Sequence, residues 1–169
     1  MTTNMTKEVA KRVVTDLDLC IACGSCAAAC YFGHAGMPVV TFANPGPTRL
    51  PLICRQCKRP SCVDSCNFNA MIRDEETGVI SRALFRCRGC GSCSRGCPFG
   101  LIPPELRFHQ VPKCDLCEDR LPKGLVPRCV AACPSGALRF VDEREADELG
   151  LIELGGRTSG QHRFQRMRR

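Results

Sequence analysis

The chain of 169 residues has no tryptophan, one tyrosine and eight phenylalanines. Its hydrophobic fraction of 44% already counts sixteen cysteines; without them roughly a third of the chain is apolar, a low share for a globular domain. So little large apolar side chain cannot order the chain by packing alone, and something else must supply the interior. An N-terminal apolar run is also missing. Met1–Lys11 is polar, and Lys11-Arg12 is neither a twin arginine nor followed by an apolar stretch. No window approaches a membrane span. These absences argue against a secreted disulfide scaffold, and sixteen reduced thiols point to the cytoplasm. No Gly-rich phosphate loop, no Ser–His–Asp set and no C-x3-C-x2-C triplet occurs, so a non-catalytic chain is expected.

What is present is cysteine, in four quartets. The first is Cys20-Ile-Ala-Cys23-Gly-Ser-Cys26-Ala-Ala-Ala-Cys30 and the third Cys87-Arg-Gly-Cys90-Gly-Ser-Cys93-Ser-Arg-Gly-Cys97-Pro98. The second is lengthened between its middle thiols: Cys54-Arg-Gln-Cys57-Lys-Arg-Pro60-Ser-Cys62-Val-Asp-Ser-Cys66. The fourth is longer still, with Cys114-Asp-Leu-Cys117, an insert through Arg128, and then Cys129-Val-Ala-Ala-Cys133-Pro134. Thiols at i, i+3 and i+6 with a fourth soon after can wrap a metal–sulfide cube, and glycines such as Gly89, Gly91 and Gly96 relieve the tight turn. Paired C-x2-C units also make zinc sites, but a third thiol three residues beyond the pair crowds a single ion. Sixteen ligands therefore predict four 4Fe–4S clusters. Spacing alone leaves open which quartets exchange their fourth thiol.

The rest of the chain joins and covers these quartets. Residues 1–11 read as a mobile tail, 12–141 as the cluster-binding domain, and 142–169 as an acidic segment with a basic arm. Arg12–Asp18 reads as a strand, and Ser135–Val141 as a closing strand that pairs with Val13–Leu17. Tyr31–Ile53, with Pro38, Pro45, Pro47 and Pro51, reads as an extended surface loop with one short strand at Val39–Phe42. Met71–Arg73, a turn over Asp74–Gly78 and Val79–Ile80 make a hairpin. Asp142 is placed to cap a helix over 141–149, with Glu145 at its third position.

The formal charge of +7 would favour a nucleic-acid or membrane partner. Four oxidised clusters with their thiolates carry about −8 together, which brings the loaded chain to about −1. The basic excess reads as compensation, and no aromatic-interleaved basic face accompanies it, so neither partner is expected. The acidic run 142–153 and the five arginines of 157–169 are either a solvated terminus or an arm for docking on a neighbouring subunit or a second copy of the chain.

The quartet Cys54–Cys66, and the run Lys113-Cys114-Asp-Leu-Cys117-Glu-Asp119-Arg120-Leu121 through Gly124, Pro127, Cys129, Ala132, Cys133-Pro134 and Gly136-Ala137-Leu138, resemble the four-cluster electron-transfer subunits of oxidoreductases. That family includes the iron–sulfur subunits of formate dehydrogenases, dimethyl-sulfoxide reductase and hydrogenases. The resemblance covers about Val13–Val141, and it implies an α+β fold of two ferredoxin-like halves with short β-hairpins and small helices. It also implies nested quartets: Cys20, Cys23, Cys26 and Cys133 on a first cluster, and Cys30, Cys114, Cys117 and Cys129 on a second. A third would use Cys66, Cys87, Cys90 and Cys93, and a fourth Cys54, Cys57, Cys62 and Cys97. Cys30 is followed by Tyr31 and Cys66 by Asn67, where the family pattern has prolines.

The implied function is electron relay between a catalytic subunit holding tungsten- or molybdenum-pterin, or another redox centre, and a flavin or ferredoxin-type partner. The compact form is most similar to the small iron–sulfur subunit of tungsten-dependent aldehyde oxidoreductases, with carbon monoxide dehydrogenase partners close behind. A free polyferredoxin shuttling between enzymes is the alternative; stable co-purification with a catalytic subunit separates the two. His34, His109 and His162 are not needed as ligands and read as packing or surface residues. Among the cations near the quartets, Arg55, Lys58, Arg59, Arg86, Arg88 and Arg95, the two enclosed between ligands (Arg88 and Arg95) are the first candidates for tuning a cluster.

Overall fold

A computed structural model describes residues 10–37, 39–43, 49–103 and 110–151. The expected mobile tail, for residues 1–9, and the arginine arm, with all of 152–169, lie outside the described residues, as does His109. The fold is a small α+β arrangement of three two-stranded antiparallel ribbons and short helices.

The first ribbon joins the two ends of the domain. Strand β1 (Arg12–Thr15) pairs with the last strand (Leu138–Val141) so that Arg12 faces Val141 and Thr15 faces Leu138. Val13 and Val14 are both buried, on opposite faces of the strand, because core packs on either side of the ribbon. Asp16 then turns the chain by accepting hydrogen bonds from the Asp18 and Leu19 amides at 3.0 and 3.3 Å. Helix α1 (Ser25–Gly33) follows, opened by Gly24 at φ +80°.

The connector after α1 differs from the extended surface loop expected from its prolines. Strand β2 (Thr41–Ala43) pairs with β3 (Leu50–Leu52), and Val39, Val40, Leu50, Leu52 and Ile53 are buried. Pro51 is tolerated because a two-stranded ribbon has an outer edge on which its missing N–H is not required. Arg49 lies over the Phe42 ring, 3.9 Å from its centre.

Helix α2 (Ser61–Asp64) leads to the expected hairpin, β4 (Met71–Arg73) with β5 (Ile80–Arg82), whose turn is held by Asp74 accepting from the Glu76 and Thr77 amides. Helix α3 (Ser92–Gly96) packs on α2, and α4 (Arg128–Ala131) packs on α1. The last strand, Leu138–Val141, is β6. Helix α5 (Glu143–Glu148) is capped as expected, the Asp142 carboxylate accepting from the Glu145 amide at 2.9 Å. It lays Ala146 and the following Leu151 against Val14 and Val141.

Two apolar clusters divide the interior. One gathers Val13, Val39, Val40, Ile53, Leu116 and Leu138 with Cys26, Cys30, Cys114, Cys129 and Cys133. The other gathers Leu50, Leu52, Met71, Leu101, Ile102 and Val111 with Cys62, Cys66, Cys87, Cys93 and Cys97. Each core thus takes its sulfurs from a different pair of quartets. Among the described residues, no helix is long and apolar enough to cross a membrane.

Candidate metal centre

Every quartet begins with the same backbone turn. The residue before the second cysteine is left-handed in all four copies: Ala22 at φ 54°, Gln56 at 48°, Gly89 at 65° and Leu116 at 57°. Three of the four are not glycine, so each costs about 1–2 kcal/mol that the surroundings must offset. In the two plain quartets a left-handed glycine, Gly24 or Gly91, then opens the helix that carries the third thiol. The serine after it places its hydroxyl 3.4 Å from the second sulfur: Ser25 on Cys23, and Ser92 on Cys90. Those serines lower the two thiols, which are also exposed.

The fourth thiols are met by backbone amides instead. Ala70 N–H donates to Cys66 at 3.3 Å, Leu101 N–H to Cys97 at 3.4 Å, and Leu138 N–H to Cys133 at 3.4 Å. Cys30 faces the Val39 and Val40 amides. It stands apart because α1 continues through Tyr31 to Gly33 where a proline would have stopped it. The chain therefore returns to the sulfur later. Amides aimed at sulfur stabilise a thiolate more than a thiol.

All sixteen cysteines are unpaired, and the fold brings together sulfurs from distant quartets. Cys26 neighbours Cys23 and Cys133. Cys129 neighbours Cys117, Cys30 and Cys26, and Cys30 in turn faces Cys117. Cys62 neighbours Cys54, Cys97 and Cys57, while Cys93 neighbours Cys66 and Cys87. Cys114 neighbours Cys54 and Cys129. Cys20 is half-buried where the chain enters the first quartet. Burial pushes Cys26 and Cys62 up to about 11 and Cys129 up to about 12, so these thiols are neutral at pH 7 unless a metal displaces the proton.

A cavity tests whether such a group fits. Cys66, Cys87, Cys90 and Cys93 line one hollow together with Met71, Val111 and Arg82. Arg82 donates through Nη1 to the Val111 carbonyl, but its buried Nε has no partner among the described residues. A buried donor left over beside four converging sulfurs fits an acceptor-rich anionic guest. Four sulfurs are what a sulfide cube needs, and the guanidinium beside them offsets its negative charge.

The cations around the sulfurs go beyond those picked out by sequence. Arg88 and Arg95 are exposed; Arg95 donates to the Cys90 carbonyl at 3.2 Å and the Ser92 hydroxyl at 3.4 Å, and its charge helps lower the Cys90 thiol. Three further cations act on ligand sulfurs: Lys113, Arg82 and Arg128. Lys113 is 9% exposed, with Nζ 3.3 Å from Cys54 Sγ. Burial alone would pull its ammonium down, but the negative charge that the Cys54, Cys114 and Cys62 sulfurs carry when ionised holds it above its ordinary value. Arg128 forks onto Asp119 at 2.8 and 2.6 Å, and its amide lies 3.5 Å from Cys117.

His34 does more than pack: its Nε2 is 3.5 Å from Cys117 Sγ and 3.9 Å from the Asp115 carboxylate. Burial pushes Cys117 up, but the His34 ring and Arg128 outweigh it and leave the thiol lowered. The sequence signal for Lys113 was its place beside Cys114. For His34 there was none, since it comes close through the fold of α1.

Comparison with known proteins agrees with this chemistry. The 4Fe–4S dicluster domain matches residues 48–143, and a 4Fe–4S binding domain matches residues 13–33. A sulfite dehydrogenase subunit from Allochromatium vinosum is 29% identical over 85% of this chain and 75% of its own length. The iron-sulfur subunit of the nitrate-inducible formate dehydrogenase of Escherichia coli is 31% identical over 84% of this chain. The beta subunit of the selenate reductase of Thauera selenatis is 36% identical over 67%. The chain spans 57% of that formate dehydrogenase subunit and 34% of that selenate reductase subunit. With these matches and its converging thiols, the chain belongs to the 4Fe–4S dicluster domain family and binds multiple 4Fe–4S clusters.

Proposed function

We propose that this chain is an electron-transfer subunit holding four 4Fe–4S clusters in a row between a catalytic oxidoreductase subunit and a second redox partner. The ligand sets are the nested ones: Cys20, Cys23, Cys26 and Cys133; Cys30, Cys114, Cys117 and Cys129; Cys54, Cys57, Cys62 and Cys97; Cys66, Cys87, Cys90 and Cys93. The observation that carries the reading is that sulfurs far apart in sequence neighbour one another in these sets, as Cys26 does Cys133 and Cys62 does Cys97. Bound clusters supply centres that take up and release single electrons.

The chain's part is order and environment. Helix α1 carries Cys26 of one set and Cys30 of the next, and its neighbour α4 carries Cys129, with Cys133 just beyond. In the other half, α2 with Cys62 and the following Cys66 packs on α3 with Cys93 and the following Cys97. Cys114 beside Cys54 joins the two halves. The sets holding the exposed Cys23 and Cys90 then fall at the two ends. Five thiols of the two central sets (Cys30, Cys54, Cys97, Cys117 and Cys129) are buried, which keeps water from the middle of the row.

For the partner we favour a tungsten- or molybdenum-pterin subunit. The names of the sulfite dehydrogenase, formate dehydrogenase and selenate reductase relatives support a role in an oxidoreductase complex, and an aldehyde-oxidising partner is one member of that class. A flavin subunit at the far end and self-association through the C-terminal arm complete the proposal. Anaerobic purification with iron, sulfide and low-temperature EPR analysis tests it. About sixteen irons per chain with spin coupling between reduced neighbours, in a stable complex, is expected. Eight irons, zinc, or a lone chain active with several enzymes contradicts it.

A further inference from the structure

Lys113 is a cation placed where the two halves meet. Its Nζ lies 3.3 Å from the Cys54 sulfur and donates to the Ile80 carbonyl at 2.8 Å and the Cys114 carbonyl at 2.5 Å. Cys54 belongs to the proposed set of one half and Cys114 to that of the other. Among the described residues no carboxylate pairs with it: its acceptors are one sulfur and two carbonyls. Taking an ammonium out of water costs several kcal/mol unless anions compensate, and neutral thiols would not.

The frame around it is equally fixed. Gln56, 1% exposed, accepts from the Ile80 amide at 2.7 Å and donates to the Cys114 carbonyl at 2.9 Å and the Ile80 carbonyl at 3.3 Å. Gln56 and Lys113 thus share the same two carbonyls, and the lysine cannot swing out to solvent without giving up both of its bonds to them. The cation is held by the fold, and its charge has only the thiolate sets to answer.

We infer that Lys113 is a shared positioning cation for the two central clusters, bound by Cys54, Cys57, Cys62 and Cys97 and by Cys30, Cys114, Cys117 and Cys129, and that it raises the reduction potential of both relative to the two outer clusters. This rests on the nested sets proposed above. A buried positive charge stabilises the added electron on either side of it, so the middle of the row accepts electrons more readily than it would without the lysine.

The test is an EPR-monitored redox titration of the full complex carrying Lys113→Met or Lys113→Arg, with iron counted in each sample. In Lys113→Met two of the four potentials should fall, each by at least the equivalent of a tenfold change in electron occupancy, about 59 mV for one electron. The other two should stay, and Lys113→Arg should follow the parent. If Lys113→Met instead loses the central iron while Lys113→Arg retains it, the charge is still what the site requires, and the inference stands. Potentials unmoved in fully loaded Lys113→Met overturn it, as do four potentials moving together, or both variants losing central iron. The parent protein's iron count and its four signals are read in the same experiment, so a failure of the four-cluster reading is seen separately.

Discussion

Gly96, at the end of α3, lies tight against segment 61–65, which holds the neighbouring helix α2. A Cβ at that position would lie 2.2 Å from Ser65 Oγ, 2.9 Å from Ser65 Cβ and 3.3 Å from the Ser61 carbonyl oxygen. Gly96→Ala therefore cannot be accommodated by a rotamer change alone. The Ser65 hydroxyl is pinned by its 2.6 Å bond to the Ser61 carbonyl; turning it away forfeits a hydrogen bond worth about 0.5–1.5 kcal/mol, and the Cβ contact remains. Helix α3 must then move off α2, an overpacking cost of about 1–3 kcal/mol, so the expected loss is about 1.5–4.5 kcal/mol. Cys62, Cys66, Cys93 and Cys97 lie on or just after these helices, so the loss should fall on the second half.

Anaerobic urea titration of the loaded protein, followed through its iron–sulfur absorbance, measures the change, and iron counting shows which half releases metal. Ser65→Gly in the Gly96→Ala background removes both short contacts and should recover most of the loss, a coupling of about 0.5–3 kcal/mol. A Gly96→Ala protein within about 0.5 kcal/mol of the parent, or a double variant that is simply the sum of its singles, refutes the close-approach reasoning.

Three further outcomes follow from other parts of the molecule. Asp142→Ala should cost about 0.5–2 kcal/mol, because it strips the Glu145 amide of its acceptor and loosens α5 from Val14 and Val141; thermal unfolding followed by circular dichroism checks it. Iron retention against a chelator should keep strengthening between about pH 9 and 11. The thiol's ordinary value is 9.0, whereas Cys26 and Cys62 are raised to about 11, so they still hold protons that metal binding must expel and that rising pH removes. Retention that levels off near pH 9 would contradict the buried-thiol environment. Arg82→Met should lower one reduction potential only, that of the cluster on Cys66, Cys87, Cys90 and Cys93, since Arg82 lines the hollow of those four sulfurs and its charge acts on Cys87 and Cys93; a titration in which all potentials hold would remove its role.

How much of this was legible in the sequence depends on distance along the chain. Thr77-Gly78 announced the β4–β5 hairpin, and Asp142 with Glu145 announced α5, because turns and caps are written in neighbouring residues. The β1–β6 closure was also readable, from two apolar runs flanking the quartets. The β2–β3 ribbon was legible only in part: the short strand expected at Val39–Phe42 overlaps β2, but the prolines hid β3, since only the edge of a two-stranded ribbon makes room for Pro51. The left-handed turn repeated in every quartet was visible only at Gly89, since Ala22, Gln56 and Leu116 are residue types that do not advertise it. Thiol spacing identified ligands, but the cations around them are placed by contacts between remote segments. Lys113 reaches Cys54 across 59 residues, and His34 reaches Cys117 across 83. Sequence proximity favoured Arg88 and Arg95, which the fold leaves on the surface.

The most direct measurement concerns the fourth thiol of the third quartet. Cys97→Ala in the full complex, loaded anaerobically and then alkylated, reports through mass spectrometry which cysteines have lost their metal. Nesting predicts that Cys54, Cys57 and Cys62 become alkylated together with the loss of about four irons, while Cys66, Cys87, Cys90 and Cys93 stay protected. Alkylation of Cys87, Cys90 and Cys93 with Cys54, Cys57 and Cys62 still protected would mean that each quartet serves its own cluster, and the row of interlocked sets would be wrong.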